Sequence, residues 1–319
     1  MIASVPERRA GGEPESSLLP RHELFRLRRE VETLLEPGQE VEPRLAAAVT
    51  ATLERPGSLW RAQLAWSVGR ACGLAAGTAL DVAAGIEAFQ TASLLFDDLP
   101  GMDDGEMRRG APCLHRVYGE ATAILAALAF VHRGYARFWR ALESGAPAAR
   151  QGAEELIESC LGLGGILDGQ ARDIRFARGA DAEADVLRIA EGKTVALLRL
   201  SLVLPARLAG RDPISCDRLA ELAAAWGLAY QILDDLLEVS GQEGHGSDAR
   251  LGRPNLALAI GRDRAVERLD RELRRGERLS RVVSLMLPAC RESFQRLDAR
   301  LARGRRGLDA GPRLESAGG

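Results

Sequence analysis

Of the 43 basic side chains in this 319-residue chain, a single one, Lys193, is lysine and the rest are arginine. Asparagine is as scarce, with Asn255 standing alone, and aromatic residues make up only 4% of the chain. Such a bias suggests a GC-rich coding background, in which arginine is the default cation. There is no surplus charge of either sign: the net charge of -2 gives no support to nucleic-acid binding. Cys72, Cys113, Cys160, Cys216 and Cys290 are odd in number and free of C-x-x-C spacing, which excludes a disulfide framework and a zinc site of the usual spacing. They read as reduced thiols packed in a core, and so as a cytoplasmic chain. The longest apolar run, Ala121 to Val131, falls short of the roughly 18 residues a membrane span needs. The opening "MIASVPERRAGGEPESS" lacks an apolar targeting segment, so neither export nor a membrane anchor is expected.

What is present is helix-forming. Ala, Leu, Arg and Glu dominate, and apolar residues recur at three- and four-residue steps, as in "LFRLRREVETLLE" and "RLAELAAAWGLAYQILDDLLE". The pattern predicts about ten helices and no sheet. Breaks fall at "EPGQEVEP", "ERPGS", "LPGMDDG", "SGAPAA", "RGADAEA", "AGRDPIS" and "SGQEGHGSD", none long enough to link two domains. No fixed-period repeat is visible. The expectation is therefore one all-α domain over residues 21–302, between a disordered arm (1–20) and a disordered tail (303–319) rich in Pro, Gly, Ser and Arg.

Two acidic clusters interrupt the apolar pattern. In "LLFDDLPGMDDGEMRRG", Asp97 and Asp98 end a helix that Pro100 and Gly101 break, and Asp103 and Asp104 follow. A helix C-terminus carries partial negative charge, so four carboxylates there conflict with the dipole. A divalent cation would resolve the conflict, and aspartate oxygens with water suit magnesium bridging to a phosphate. Arg108 and Arg109 lie just beyond, placed for phosphate oxygens. In "YQILDDLLE", Asp234 and Glu238 share a helix face and repel, and Asp235 adds to the repulsion. The histidines His22, His115, His132 and His245 have no ligand spacing and read as surface or packed residues. The glycines of "GLGGILDGQARDI" follow no strand, which excludes a dinucleotide or P-loop reading.

In this order and spacing, "DDLPGMDD…RRG", "GKT", "YQILDDLLE" and "GSDARLGRP" resemble the trans-isoprenyl diphosphate synthases of the bacterial farnesyl and geranylgeranyl type, from about residue 45 to residue 265. The resemblance implies a single large helical bundle around a central cavity, the isoprenoid synthase fold, commonly as a homodimer. It implies magnesium-dependent ionisation of an allylic prenyl diphosphate, followed by attack of isopentenyl diphosphate. Asp97, Asp103 and Asp234 match the family's metal ligands, with Asp98 and Glu238 as supporting acids. Arg108, Lys193 and the following Thr194 fall at the allylic diphosphate, Gln231 lies beside the second cluster, and Arg253 stands where lysine is usual. Gln170 and Asp173 fall where family residues face the cavity. The hydrocarbon tail is expected along the helix leading into Asp97, where Gln90, Ser93 and Asp97 share a face. Ser93 and Ala92 are small where short-chain members often carry an aromatic plug, and Phe89 and Phe96 remain to narrow the space.

The chain departs from the family where isopentenyl diphosphate is seated. Gly-Lys-Arg-x-Arg-Pro is usual; here "RPGSLWRAQ" keeps Gly57 and Arg61 but has Ser58 and Leu59 at the lysine and arginine places. Gln90 replaces a histidine, Arg109 matches the remaining cation, and Ala127 and Leu128 stand where Gly-Asp is common. Each missing charge-assisted contact is worth about 1.5–3 kcal/mol. Three functions therefore compete. The first is elongation through Arg61, Arg109 and further groups. The second is ionisation followed by cyclisation, water capture or transfer to a less charged acceptor, with Trp60, Trp226 and Tyr230 as candidate cation-stabilising rings. The third, a non-catalytic regulatory subunit, fits poorly with retained acids.

Overall fold

The computed structural model describes residues 17–176, 182–240 and 252–310 of the chain. Within them the fold is all-α, as the periodicity and the resemblance lead one to expect. The helices are α1 (Arg21–Glu32), α2 (Pro43–Leu53), α3 (Trp60–Ala71), α4 (Ala76–Asp97), α5 (Leu114–Tyr118), α6 (Glu120–Glu143) and α7 (Pro147–Leu161). There follow α8 (Ile166–Ile174), α9 (Ala182–Ala190), α10 (Ala196–Leu208), α11 (Pro213–Val239), α12 (Leu256–Ile260), α13 (Arg262–Met286) and α14 (Arg291–Ala310). The expected ten or so helices are too few, because short elements such as α5 and α12 leave no periodic stretch to detect.

The expectation of no sheet also needs correction. Met107–Arg108 (β1) pairs antiparallel with Ala111–Pro112 (β2), a minimal hairpin that is too short to show alternation in sequence. Both domain boundaries shift. Leu18 and Leu19 are buried against the core, and Gln63 accepts the Leu18 N–H at 2.8 Å, so the ordered chain begins before residue 21. At the other end α14 runs through Ala310 and buries Leu308, past the expected limit of residue 302. The breaks in "RGADAEA" and "SGQEGHGSD" fall largely outside the described residues.

Helix α4 is the centre of the bundle. It is apolar all round, buries Leu80, Val82, Ile86, Phe89 and Leu95, and packs on α3, α6 and α10. By length and apolarity it would also span a membrane, yet 78% of its most apolar window is buried in the bundle, as expected of a core helix. Its interior burial fixes where its C-terminus, and hence Asp97, projects. Helix α11 lies across the bundle, started by Pro213 and by Asp212, whose carboxylate accepts the Ser215 N–H at 2.9 Å. Its buried Leu222, Trp226, Leu233 and Leu236 hold it against α10, α13 and α14.

One irregularity positions functional groups. Between α9 and α10, residues Glu191–Val195 form a π-helical turn. The wider turn changes the phase of the side chains, and such bulges concentrate at functional sites. The backbone there is crowded by design: a Cβ on Gly169 would lie 2.6 Å from the Lys193 nitrogen, and one on Gly192 would lie 2.8 Å from the Gly169 Cα. Only glycine at both positions lets α8 back directly onto the turn that carries Lys193. Of the glycines in "GLGGILDG", Gly169 makes this close contact, whereas Gly164 meets nothing within 4 Å. All five cysteines are free, with Cys72 half-buried and the others buried.

Candidate active site

The loop after α4 folds back over the helix end. The Asp103 N–H donates to the Asp97 carbonyl at 2.9 Å, and the Gly105 N–H donates to the Asp98 carbonyl at 3.1 Å. These bonds satisfy carbonyls that the helix leaves open and bring all four aspartates to one helix end. Asp97, Asp98 and Asp103 are buried and Asp104 is exposed.

Each carboxylate then meets a cation from a different part of the chain. Asp97 lies 3.5 Å from Lys193 Nζ, Asp98 lies 2.5 Å from Arg108 Nη2, Asp103 lies 3.3 Å from Arg253 Nη2, and Asp104 lies 2.7 Å from Arg116 Nη2. The conflict with the helix dipole is thus relieved by four side-chain cations, a possibility the sequence reading left to a metal alone. The pairs also divide the cluster. Asp103 faces a cavity with Lys193 and Arg253, and Asp97 lies behind Lys193, whereas Asp98 pairs with Arg108 and Arg116 holds Asp104 at the outer side.

The polar lining of the cavity is Asp103, Asp173, Lys193, Thr194, Gln231, Asp234, Asp235 and Arg253. Lys193 donates to Asp173 at 2.5 Å. Burial acts to lower the Lys193 pKa, but the carboxylates of Asp97, Asp173 and Asp103 outweigh it and hold the ammonium well above the ordinary lysine value. The side chain stays charged. Thr194 donates to Gln231 Oε1 at 2.7 Å, and Gln231 Nε2 donates to Asp235 at 2.9 Å, so these residues form one chain of hydrogen bonds. Gln170 reaches Met102 Sδ at 3.5 Å, which ties α8 to the loop after α4.

Asp235 is not a repelling surface charge. It is 2% exposed, and its carboxylate also accepts the Leu256 N–H at 2.7 Å at the start of α12. It lines the cavity together with its neighbour Asp234, while Glu238, one turn on, is half-buried. The donors are hard oxygens that suit magnesium. Among the described residues, however, no three acidic, histidine or cysteine side chains converge closely enough to enclose an ion. Asp173 and Asp103 are instead paired with Lys193 and Arg253.

The stretch "RPGSLWRAQ" is held by contacts of its own. Gly57 has φ +58°, and a Cβ there would lie 2.4 Å from Arg109 Nη2, so the glycine allows the Arg109 guanidinium to lie against the turn. Arg109 donates to the Arg55 carbonyl at 2.5 Å. Leu59, also left-handed at φ 55°, buries its side chain in the core, and the Ser58 carbonyl accepts from Gln63 at 2.7 Å. Ser58 and Leu59 therefore anchor the chain, and neither presents charge. Arg61 is 3% exposed, with its guanidinium 4.4 Å from the Trp60 ring centre and 5.7 Å from that of Tyr230. Trp226 is elsewhere: it donates to Asp298 at 2.8 Å and packs on Phe294.

On α4, Ser93 donates to the Gln90 carbonyl at 2.9 Å, and Gln90 is buried. Phe89 stacks on Phe138 with ring centres 5.5 Å apart and meets Tyr135 edge-on at 4.9 Å, so it is held towards α6. Sequence reasoning missed Glu87, buried one turn before Gln90. Burial pushes its pKa up to about 7 against the pull of Arg109 and Arg61. A carboxyl inside an apolar helix was the available signal. His115 is packed as expected, though neither ring nitrogen has a hydrogen-bond partner.

Comparison with known proteins accords with this arrangement. The family described as polyprenyl synthetase matches residues 42–277. The chloroplastic geranylgeranyl pyrophosphate synthase of Capsicum annuum is 34% identical over 174 residues, 53% of this chain and 47% of that protein, so the chain spans about half of its length. The farnesyl diphosphate synthase of Geobacillus stearothermophilus is 34% identical over 212 residues, covering 66% of this chain and 70% of that one. A geranyltransferase from Helicobacter pylori, complexed with magnesium and isoprenyl diphosphate, has the same fold, with a TM-score of 0.77 at 22% identity over 92% of this chain and 100% of that chain.

Proposed function

The chain belongs to the polyprenyl synthetase family, and on that premise we propose that it is a magnesium-dependent prenyltransferase joining an allylic prenyl diphosphate to isopentenyl diphosphate. The observation that carries this reading is the single cavity in which Asp103 and Asp234, from the two acidic motifs, meet Lys193 and Arg253. Heterolysis of the allylic C–O bond leaves negative charge on pyrophosphate oxygens, and preplaced cations in a buried site stabilise it. Magnesium, held by Asp97, Asp103 and Asp234 with Glu238 in support, would add Lewis-acid stabilisation of those oxygens. Lys193 and Arg253 stand ready to exchange their carboxylate partners for phosphate oxygens. Thr194 and Gln231 orient the floor of the cavity through their hydrogen-bond chain.

The competing outcomes have less behind them. Trp226 is committed to the core, and Arg61 already covers the Trp60 and Tyr230 rings that would shelter a migrating cation. Incubation with magnesium, farnesyl or geranyl diphosphate and labelled isopentenyl diphosphate should give a longer labelled diphosphate. Pyrophosphate and a terpene released without isopentenyl diphosphate would replace this reading by cyclisation or hydrolysis.

We also propose that the protein is a homodimer through α6. Ile124, Leu125, Leu128 and Trp139 lie on one side of that helix and are 38%, 53%, 50% and 65% exposed. Sedimentation should give twice the chain mass. The double variant Leu125→Glu, Leu128→Glu should sediment as a monomer, and an unchanged mass would remove α6 from the interface.

A further inference from the structure

The loss of charge at Ser58 and Leu59 leaves the acceptor pocket short of cations, but the last helix brings one. The register of α14 against α11 is fixed at two points: Asp298 accepts from Trp226 at 2.8 Å, and a Cβ on Gly304 would lie 2.4 Å from Leu233 Cδ2. Arg300, between them, lies near enough for its charge to act on Arg61, whose guanidinium lies 5.7 Å from the Tyr230 ring centre. Arg300 is 8% exposed and Arg61 is 3% exposed, so two guanidiniums share one buried region. Their repulsion adds to burial in lowering the Arg61 pKa, partly offset by Tyr230, Glu87 and Asp234.

This region has unused hydrogen-bonding capacity. Arg61 Nε and Gln90 Oε1 are buried without a hydrogen-bond partner. Glu87, the acid on α4 one turn before Gln90, acts on Arg61 as Asp234 does, and its raised pKa of about 7 leaves it only partly ionised near neutrality. Arg109, exposed on the hairpin side, feels the same carboxyl group. Guanidiniums from three elements share this region, and the buried Arg61 Nε has no hydrogen-bond partner, an environment that favours a bound polyanion.

We propose that Arg300, together with Arg61 and Arg109, binds the diphosphate of the acceptor and replaces the charge missing at Ser58 and Leu59. This assignment rests on the elongation reading above. The diphosphate enters from the Arg109 side and reaches Arg61 and Arg300 at the inner end, so the last helix becomes part of the acceptor site.

Steady-state kinetics of Arg300→Ala and Arg300→Lys test the assignment, with melting temperatures measured alongside. Loss of one charge-assisted contact should raise the KM for isopentenyl diphosphate about tenfold or more in Arg300→Ala and less in Arg300→Lys. The KM for the allylic diphosphate should stay within about twofold, because its cations are Lys193 and Arg253. Adding Ser58→Lys to Arg300→Ala should recover much of the loss by returning a cation to the pocket. Calorimetric titration of inorganic pyrophosphate into the wild type and Arg300→Ala in EDTA separates this idea from the elongation reading. Metal-free binding that weakens tenfold in the variant supports the anion site even if no elongation is seen. Equal pyrophosphate affinity in the two proteins, or a parallel rise in both KM values with no rescue by Ser58→Lys, would overturn it.

Discussion

Replacing Lys193 by arginine should lower turnover by about two to three orders of magnitude, the usual effect of removing one preplaced charge stabiliser, while leaving the protein folded. Lysine and arginine carry the same charge, so the difference is shape: a compact ammonium against a broad planar fork. The ammonium is 2.5 Å from Asp173 and 3.5 Å from Asp97, with 16% of the side chain exposed. Its backbone is pinned by the contact of Gly169 with the π-helical turn, so the turn cannot retreat to admit a guanidinium. The larger head would stay on the two aspartates or push past them, and in either case misplace the charge needed at the leaving pyrophosphate. Lys193→Ala should be worse in a second respect, because it leaves Asp97 and Asp173 buried without their shared cation, and breaking a buried pair costs about 3–5 kcal/mol. Kinetics with the allylic substrate and a thermal melt distinguish the two variants. If Lys193→Arg retained turnover within about threefold of wild type, far below the effect expected of a preplaced charge, the lone lysine would be a chance survivor of the arginine bias.

The same site shows how far the sequence could be read and where it stopped. The end of α4 at Asp97, the turn at Pro100 and Gly101, and the helix carrying Asp234 were legible because helix periodicity and its breakers are local signals. The meeting of Lys193, Arg253 and both acidic motifs was reached only through family resemblance, since partners 96 and 151 residues distant, as in Lys193 with Asp97 and Arg253 with Met102, leave no trace in local pattern. Which cation answers which aspartate was not legible at all. Arg108 was read as a phosphate ligand, yet it pairs with Asp98, and Arg116, which holds Asp104, was not singled out. Nor could the sequence separate Ser58 and Leu59 as lost charges from Ser58 and Leu59 as an anchor. The left-handed turn at Leu59 and the Gln63 hydrogen bond are tertiary facts. Arg300 lies near the expected end of the domain, and its approach to Arg61 depends on helix register.

Register also separates two neighbouring aspartates, and their substitution by asparagine should have opposite consequences. Both line the cavity, but successive residues on a helix point about 100° apart, so Asp234 is half-buried while Asp235 is 2% exposed and bound by two hydrogen bonds. Asp234→Asn should reduce turnover by about 10²–10³-fold with little loss of stability, since the amide keeps the size of the side chain but not the charge needed for metal. Asp235→Asn should act first on the fold and destabilise it. Its two oxygens each accept a hydrogen bond, from the Leu256 N–H at 2.7 Å and from Gln231 Nε2 at 2.9 Å. An amide presents one acceptor and one donor, so whichever way it turns, one N–H faces another in a buried place. The backbone donor at Leu256 cannot reorient, and loss of a charged hydrogen bond there costs about 1.5–3 kcal/mol. Because Gln231 connects through Thr194 to the turn bearing Lys193, a repositioned Gln231 would also disturb the cavity floor, so activity should fall secondarily and recover partly at lower temperature. Denaturant unfolding of the two variants, set against turnover at two temperatures, reads both effects. An Asp235→Asn protein as stable as wild type, or an Asp234→Asn protein with normal turnover, would reverse the assignment of structural and chemical roles within this pair.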